Sequence, residues 1–357
     1  MSSHAANAAP PMMNPAQMAA VQHLHSPCLV LAGAGSGKTR VITHKIARLL
    51  QPGDGADLAP SQIGAITFTN KAAAEMRDRV KALIGPKAAS KLLVCTFHSL
   101  GVRLLREDGT ALGLKPQFSI LDADDVTGIL RDAGATTDAK LARSWQWTIS
   151  LWKNMGLNSG QAMSVVKTDE ELIAARVMKL YEERLLAYQA VDFDDLISLP
   201  LKLLAEHEEV RLKWQRQLRH VLVDEYQDTN ATQYELLKLL VGQQGIFTAV
   251  GDDDQSIYGW RGATLDNLKR LPQDFPNLKV IPLEQNYRST SAILRAANNV
   301  IESNPKLFQK TLWSDLGEGD PVKLMECDNE EHEAERTVSH FMMLRMNLLE
   351  RHPGDPS

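Results

Sequence analysis

The sequence predicts an α/β protein built on a parallel sheet, interrupted by a helical insertion and followed by the start of a second α/β unit. Short apolar, β-rich runs at 28–31, 65–68, 92–97, 221–223 and 247–250 end directly in Gly, Ser, Thr or acidic residues. Strands of a parallel sheet end this way, because ligands sit at their carboxyl ends. Helical patterns separate the runs. Between about residue 100 and residue 190 the strand signal vanishes and helical periodicity replaces it.

In chain order, the opening MSSHAANAAPPM lacks a basic start, an apolar stretch and arginine, and reads as a frayed tail over 1–13 rather than a leader peptide. After the strand at 65–68, Asn70 opens an amphipathic helix with Met76, Val80, Leu83 and Ile84 on one face and Gly85-Pro86 as its stop. Within the insertion, 122–133 is helical, and a longer helix opens with Thr168-Asp169-Glu170-Glu171, a capping-box pattern. The sheet pattern resumes at 221, then at 280–283 and 322–325 around a helix at 291–302, with Leu271-Pro272 to Phe275-Pro276 as the junction. The expected division is 14–90 with 191–276 for the first unit, 91–190 for the insertion, 277–345 for an incomplete second unit and 346–357 for a tail.

A chain of 357 residues has room for two or three compact units. Hydrophobic residues at 44% and charged residues at 23% are ordinary for a soluble protein, and no apolar run approaches the roughly 20 residues that span a bilayer. Cys28, Cys95 and Cys327 are far apart and lack neighbours at metal-ligand spacing, which argues against disulfides and zinc and fits a reducing cytoplasm. The net charge of -5 gives no global attraction to nucleic acid, so any such binding requires a local groove.

Ala32-Gly33-Ala34-Gly35-Ser36-Gly37-Lys38-Thr39 follows a strand, opens a helix and carries the Walker A spacing. Glycines let backbone N–H groups converge on phosphate oxygens, the helix N-terminus adds positive potential, Lys38 reaches the outer phosphates, and Thr39 can ligate Mg²⁺. The bland alternative is a Gly-rich strand-to-helix turn without a ligand. By itself the loop says only nucleotide. Val221-Leu222-Val223-Asp224-Glu225 adds an apolar strand ending in two acids, suited to holding Mg²⁺ through Asp224 and polarising an attacking water through Glu225.

The strings LAGAGSGKTRVIT, ITFTNKAAAEM, TFHSLG, DFDDL, LVDEYQDTN, VGDDDQSIYGWRGA and LEQNYRS together resemble the superfamily 1A (UvrD/Rep/PcrA-like) ATP-dependent DNA helicases, over about residues 13 to 338. EEHEAER and LKVIPLEQNYRSTSAILRAANNVIESNP look most like the Rep branch. The resemblance implies a RecA-like P-loop NTPase sheet, a helical insertion and the start of a second RecA-like domain. It implies ATP and Mg²⁺ as cofactors, with 3′-to-5′ translocation on single-stranded DNA and at duplex junctions in replication or repair. Replication or repair proteins and self-association on DNA are the further partners it allows.

Carried onto this chain, the resemblance assigns Gln17 to the adenine edge, Arg40 to the nucleotide, Gln255 to sensing the γ-phosphate, Tyr287 to stacking on the base and Arg288 to contact with the γ-phosphate from the second unit. A guanidinium delivered across a cleft ties hydrolysis to closure. Phe68, Thr69, Asn70 and Lys71 sit at a strand end and helix start where donors can meet phosphates, and Thr96, Phe97 and His98 occupy the equivalent place after the next strand. Tyr258, Trp260 and Arg261, set between glycines, form a platform on which bases can stack without sequence preference. Trp145, Trp147 and Trp152 are core or DNA-edge residues. Asp192, Asp194 and Asp195 cap and brace a helix near the nucleotide rather than bind a second metal.

Residues after about 340 depart from the family pattern, and the chain reads as cut short, without the later motifs of the second unit. Losing one arginine that meets the γ-phosphate can lower turnover by roughly 10³ to 10⁵. The expected alternative to a motor is therefore a nucleotide-responsive fragment that binds single strands.

Overall fold

Asn14 and Gln17 close a capping box at the start of α1 (Pro15–Gln22), after which β1 (Cys28–Ala32) runs straight into α2 (Lys38–Leu49). β2 (Ile63–Thr67) leads to α3 (Asn70–Ile84), whose cap is the Thr69 hydroxyl accepting from the Ala72 amide, and Gly85 at φ +83° ends it before the short α4 (Pro86–Ala89). β3 (Leu93–Thr96) enters α5 (Phe97–Asp108) in the same way. There follow β4 (Ser119–Ile120), α6 (Ala123–Ala133), α7 (Ala139–Asn154), α8 (Ser159–Val165), α9 (Asp169–Tyr188) and β5 (Ala190–Val191). The chain continues through α10 (Asp195–Glu206), α11 (Glu208–Gln217), β6 (His220–Val223), α12 (Ala231–Val241), β7 (Ile246–Gly251), α13 (Asp266–Asp274), β8 (Lys279–Leu283), α14 (Ser291–Glu302) and α15 (Glu330–Arg351). This computed structural model describes residues 12–53, 55–242 and 245–351, with the side chains of Arg261 and 348–351 outside the description. The expected tail at 1–13 lies outside it through residue 11, as does 352–357.

Six strands form one sheet in the order β3-β2-β6-β7-β1-β8, with every pair parallel. Alternation along β1 sends Leu29 and Leu31 into one core with Trp214, Phe247 and Phe97, and Cys28, Val30 and Ala32 into the other with α2 and α3. A sheet buried on both faces explains why its strands read as unbroken apolar runs. On the first face α5 crosses α10 so closely that any side chain at Gly101 would overlap the Leu196 carbonyl.

Four expectations change. β3 belongs to this sheet, and α5 puts Phe97, Leu100 and Leu104 into its core, so the insertion starts well after residue 91. β8 pairs with β1 from Cys28↔Lys279 to Ala32↔Leu283, and its Ile281 and Leu283 finish the second core. The strand expected to open the second unit is therefore the edge of the first sheet. At 322–325 no strand forms among the described residues: Val322 and Leu324 are 62% and 97% exposed, with no neighbouring strand to bond. The terminal helix α15 also runs past 345, to Arg351.

The insertion packs α6 to α9 around its own core, where Trp145 and Trp152 are buried, while Trp147 is 63% exposed. Thr168 caps α9 by accepting from the Glu171 amide, but the reciprocal bond comes from Lys167, one residue early. The braces expected of Asp192 and Asp195 are present: both carboxylates meet the Lys153 ammonium at 2.6 Å, and the Asp195 amide donates back to Asp192. They tie α7 to α10. Thr232 donating to the Lys153 carbonyl and Asn230 donating to Asn154 add α12.

Candidate nucleotide and nucleic-acid site

The loop between β1 and α2 turns through Gly35 and Gly37, at φ +69° and +88°, where a side chain is strained. A Cβ at Gly35 would lie 2.7 Å from Asn286 Nδ2 and 2.8 Å from Arg288 Cβ, and one at Gly37 would lie 2.7 Å from Gln17 Nε2. Two sequence-distant segments, around residue 17 and around residues 286–288, thus converge on the loop. Gln17 is buried and donates to the Ser36 carbonyl at 2.9 Å while accepting from the Asn14 amide. One N–H and one lone pair of its amide remain.

Beneath the loop, Lys38 Nζ lies 2.9 Å from Glu225 Oε2. Glu225 holds φ +50°, a left-handed conformation that non-glycine residues rarely adopt outside functional turns. Burial, then the Glu225 charge, pushes Asp224 up to about 6. Asp228, missed by the sequence reading, is pushed to about 6 by the same two causes, and its Oδ1 is buried without a partner. Three acids facing one lysine beneath a glycine loop suit a hard divalent cation and a polyphosphate: oxygen donors, an unsatisfied buried carboxylate oxygen and converging backbone amides. The residues present fit the cofactors.

From Glu225 a relay leads to the next strand end. Gln227 donates to Glu225 Oε2 at 2.9 Å and accepts from the Asp252 amide at 2.9 Å. Asp252 in turn accepts from the Gln255 side chain. Over the loop, Asn286 donates to the Ala34 carbonyl at 2.5 Å, Tyr287 N donates to the Gly35 carbonyl at 2.9 Å, and the Leu312 side chain covers Gly33. Tyr287 and Arg288 are both exposed beside the loop. Thr39 and Arg40 occupy the first turn of α2.

At the other strand ends, Thr69, Asn70 and Lys71 are exposed, and Phe68 leans edge-on against Phe97 at 5.8 Å. Two expected strand contacts are corrected. Phe97 is 1% exposed and locked in the core, and the Thr96 hydroxyl is spent on capping α5. His98 stacks on Phe193 at 3.8 Å, and burial drops its pKa to about 4, so the ring is neutral. Phe193, 59% exposed, is an aromatic that sequence reasoning missed because it read the run DFDDL for its acids. Tyr258 and Trp260 form a tilted pair 6.5 Å apart, Trp260 being 60% exposed. The Arg261 side chain lies outside the described residues.

A Walker loop at the end of β1, an acidic pair at the end of β6 and the parallel order of the sheet define a RecA-like P-loop fold. The description "UvrD/REP helicase N-terminal domain" matches residues 13–276, and "UvrD-like helicase C-terminal domain" matches 281–352. The chain belongs to the UvrD/Rep helicase family. It is 50% identical over 333 residues to ATP-dependent DNA helicase Rep of Salmonella typhimurium and to that of Escherichia coli, covering 92% of this chain and 49% of each relative. ATP-dependent DNA helicase PcrA of Bacillus subtilis is 44% identical over 322 residues, 89% of this chain and 43% of that protein. The chain spans about half the length of the curated relatives it matches. Among the described residues, no helix is long and apolar enough to cross a membrane.

Proposed function

We propose that the chain binds ATP with Mg²⁺ at the Walker loop and single-stranded DNA along the strand-end edge, as the motor portion of a Rep-type, ATP-dependent 3′-to-5′ DNA helicase. The observation supporting this is a continuous series of hydrogen bonds from Lys38 through Glu225 and Gln227 to the Asp252 main-chain amide, and from the Asp252 carboxylate to Gln255, a short turn before Tyr258 and Trp260. Bound Mg·ATP supplies the phosphoanhydride and the charge neutralisation that its cleavage needs. Lys38 moves from Glu225 to an outer phosphate, and the released Glu225 carboxylate polarises the attacking water. Asp224 and Thr39 hold the cation, Gln17 meets the adenine edge, Arg40 and Tyr287 border the nucleotide, and Arg288 reaches the γ-phosphate when the cleft closes. Gln255 passes the state of the site to the aromatic turn, whose grip on bases then alternates.

The test is DNA-stimulated ATP turnover and strand separation by the 357-residue chain, beside Lys38→Ala. Loss of the lysine should cost about 10²-fold or more in turnover; undiminished turnover sinks the assignment. Nucleotide-dependent strand binding without turnover selects the second reading, a nucleotide-responsive strand-binding module.

A further inference from the structure

The segment after α14 crosses the nucleotide loop as a strap. Leu307 and Phe308 pack on the first core, Leu312 covers Gly33, and Trp313 exchanges backbone bonds with Glu284 and Asn286. Between these anchors Lys310, 4% exposed, places its ammonium among three carboxylates: Asp252 at 2.5 Å, Asp254 at 2.9 Å, and Asp253. The carboxylate oxygens of these three acids lie within 4.8 Å of one another, a spacing that suits a cation, and Lys310 sits among them. Asp252 is shared. Its Oδ1 takes Lys310 and its Oδ2 takes the Gln255 amide, while its own N–H is held by Gln227.

We propose that Lys310 is a positioning residue for the nucleotide cleft: by fixing the Asp252 carboxylate, it aims Gln255 and ties the turn carrying it to the strap over the Walker loop. A buried ion pair is weak evidence for stability but good evidence for register, because any other alignment strands unpaired charge. Moving the strap displaces Lys310, and the Asp252 carboxylate then loses its one cationic partner, keeping the Gln255 amide and the Asp254 N–H. The coupling half of this inference rests on the proposed function; the tether half does not.

The two halves are tested separately on the full chain. Without ligand, hydrogen exchange at the 252–256 amides should quicken by about tenfold in Lys310→Met and stay near wild type in Lys310→Arg. Unchanged exchange in Lys310→Met overturns the tether. If Lys310→Met does not fold, Asp254→Asn, which removes one partner at a partly exposed carboxylate, is read in its place for the same loss of protection. The second measurement is the ratio of oligo-dT affinities with and without a non-hydrolysable ATP analogue. Lys310→Met should bring this ratio towards one while analogue affinity changes by less than about threefold, and Lys310→Arg should restore it. An equal loss of analogue affinity overturns the positioning role, since Lys310 would then act on the phosphate site itself. A wild-type chain that binds no analogue refutes the functional reading instead, and the exchange data still decide the tether.

Discussion

The Gln227 side chain joins Glu225 to the neighbouring strand end, giving an N–H to the carboxylate and taking the Asp252 amide on its other atom, each across 2.9 Å. It is 2% exposed, so its loss strands the buried Asp252 N–H, whereas the Glu225 side chain, 37% exposed, can turn to water. Gln227→Ala should cost about 1–3 kcal/mol in denaturant unfolding, the usual result of leaving buried groups unpaired. DNA stimulation of turnover should fall towards the basal rate. Gln227→Glu keeps the acceptor but sets a carboxylate against Glu225, so stimulation fully retained in that variant would show that the relay does not run through the Gln227 N–H.

Asp224 gives a pH test with a defined sign. Its folded pKa is raised to about 6, so between about 4 and 6 the native chain holds a proton that the unfolded chain has released. Stability therefore falls as pH rises through that window, by up to about 3 kcal/mol for a shift of this size. Asp224→Asn should remove this residue's share of the dependence, leaving that of Asp228, which is raised to the same value, and should raise the melting temperature at pH 7, while weakening Mg²⁺-dependent nucleotide binding. A melting temperature unchanged or lowered by Asp224→Asn would refute the strained-acid account.

How much was legible in the sequence follows from what each signal depends on. The loop 32–39 and the pair Asp224-Glu225 were readable because their chemistry is written in contiguous residues beside a strand. Phe193 and Lys310 act through partners far along the chain, Gln227 is tied to the distant Asp252 amide as well as to nearby Glu225, and the burial that raises Asp228 is set by the fold. The strand at 279–283 was legible as a strand, but its sheet was not, because pairing with β1 depends on an edge exposed only after β1 and β7 have met. The pattern at 322–325 failed for the converse reason: alternation predicts a strand only where a partner edge exists. Phe97 was misplaced because the cap that opens α5 turns its ring inward.

Lys153 tests the brace between insertion and sheet. Its ammonium is buried between Asp192 and Asp195, and the Asp192 carboxylate also accepts from the Tyr181 hydroxyl at 2.8 Å. Those two acids hold the lysine pKa above its ordinary value against the opposing effect of burial, and Lys153 holds Asp192 below its own, so the Lys153–Asp192 pair stays charged, while burial and the Asp192 charge push Asp195 up to about 7. Lys153→Met leaves two carboxylates buried without a cation and should cost about 3–5 kcal/mol. Replacing all three charges together with apolar residues should cost less than the single change, measured by denaturant unfolding; a triple variant less stable than Lys153→Met would refute this.

Strand binding along the proposed edge would separate into stacking and charge, and salt tells them apart. Trp260 and Phe193 are more than half exposed, and Lys71 is exposed at the start of α3. Removing a stacking ring deletes a contact that no counterion screens, so Trp260→Ala and Phe193→Ala should each weaken oligo-dT binding by about 1–3 kcal/mol with an unchanged salt slope. Lys71→Ala removes a phosphate contact, and the slope of log affinity against log salt should become shallower by about 0.7. The Phe193 result carries the most information, because its ring already stacks on neutral His98 and a base would have to extend that stack or displace it. His98→Ala separates these outcomes: weaker binding means the base extends the stack, and tighter binding means His98 competes with it. An unchanged affinity in both Phe193→Ala and His98→Ala would remove this pair from the path of the strand and leave Tyr258 and Trp260 as its aromatic contacts.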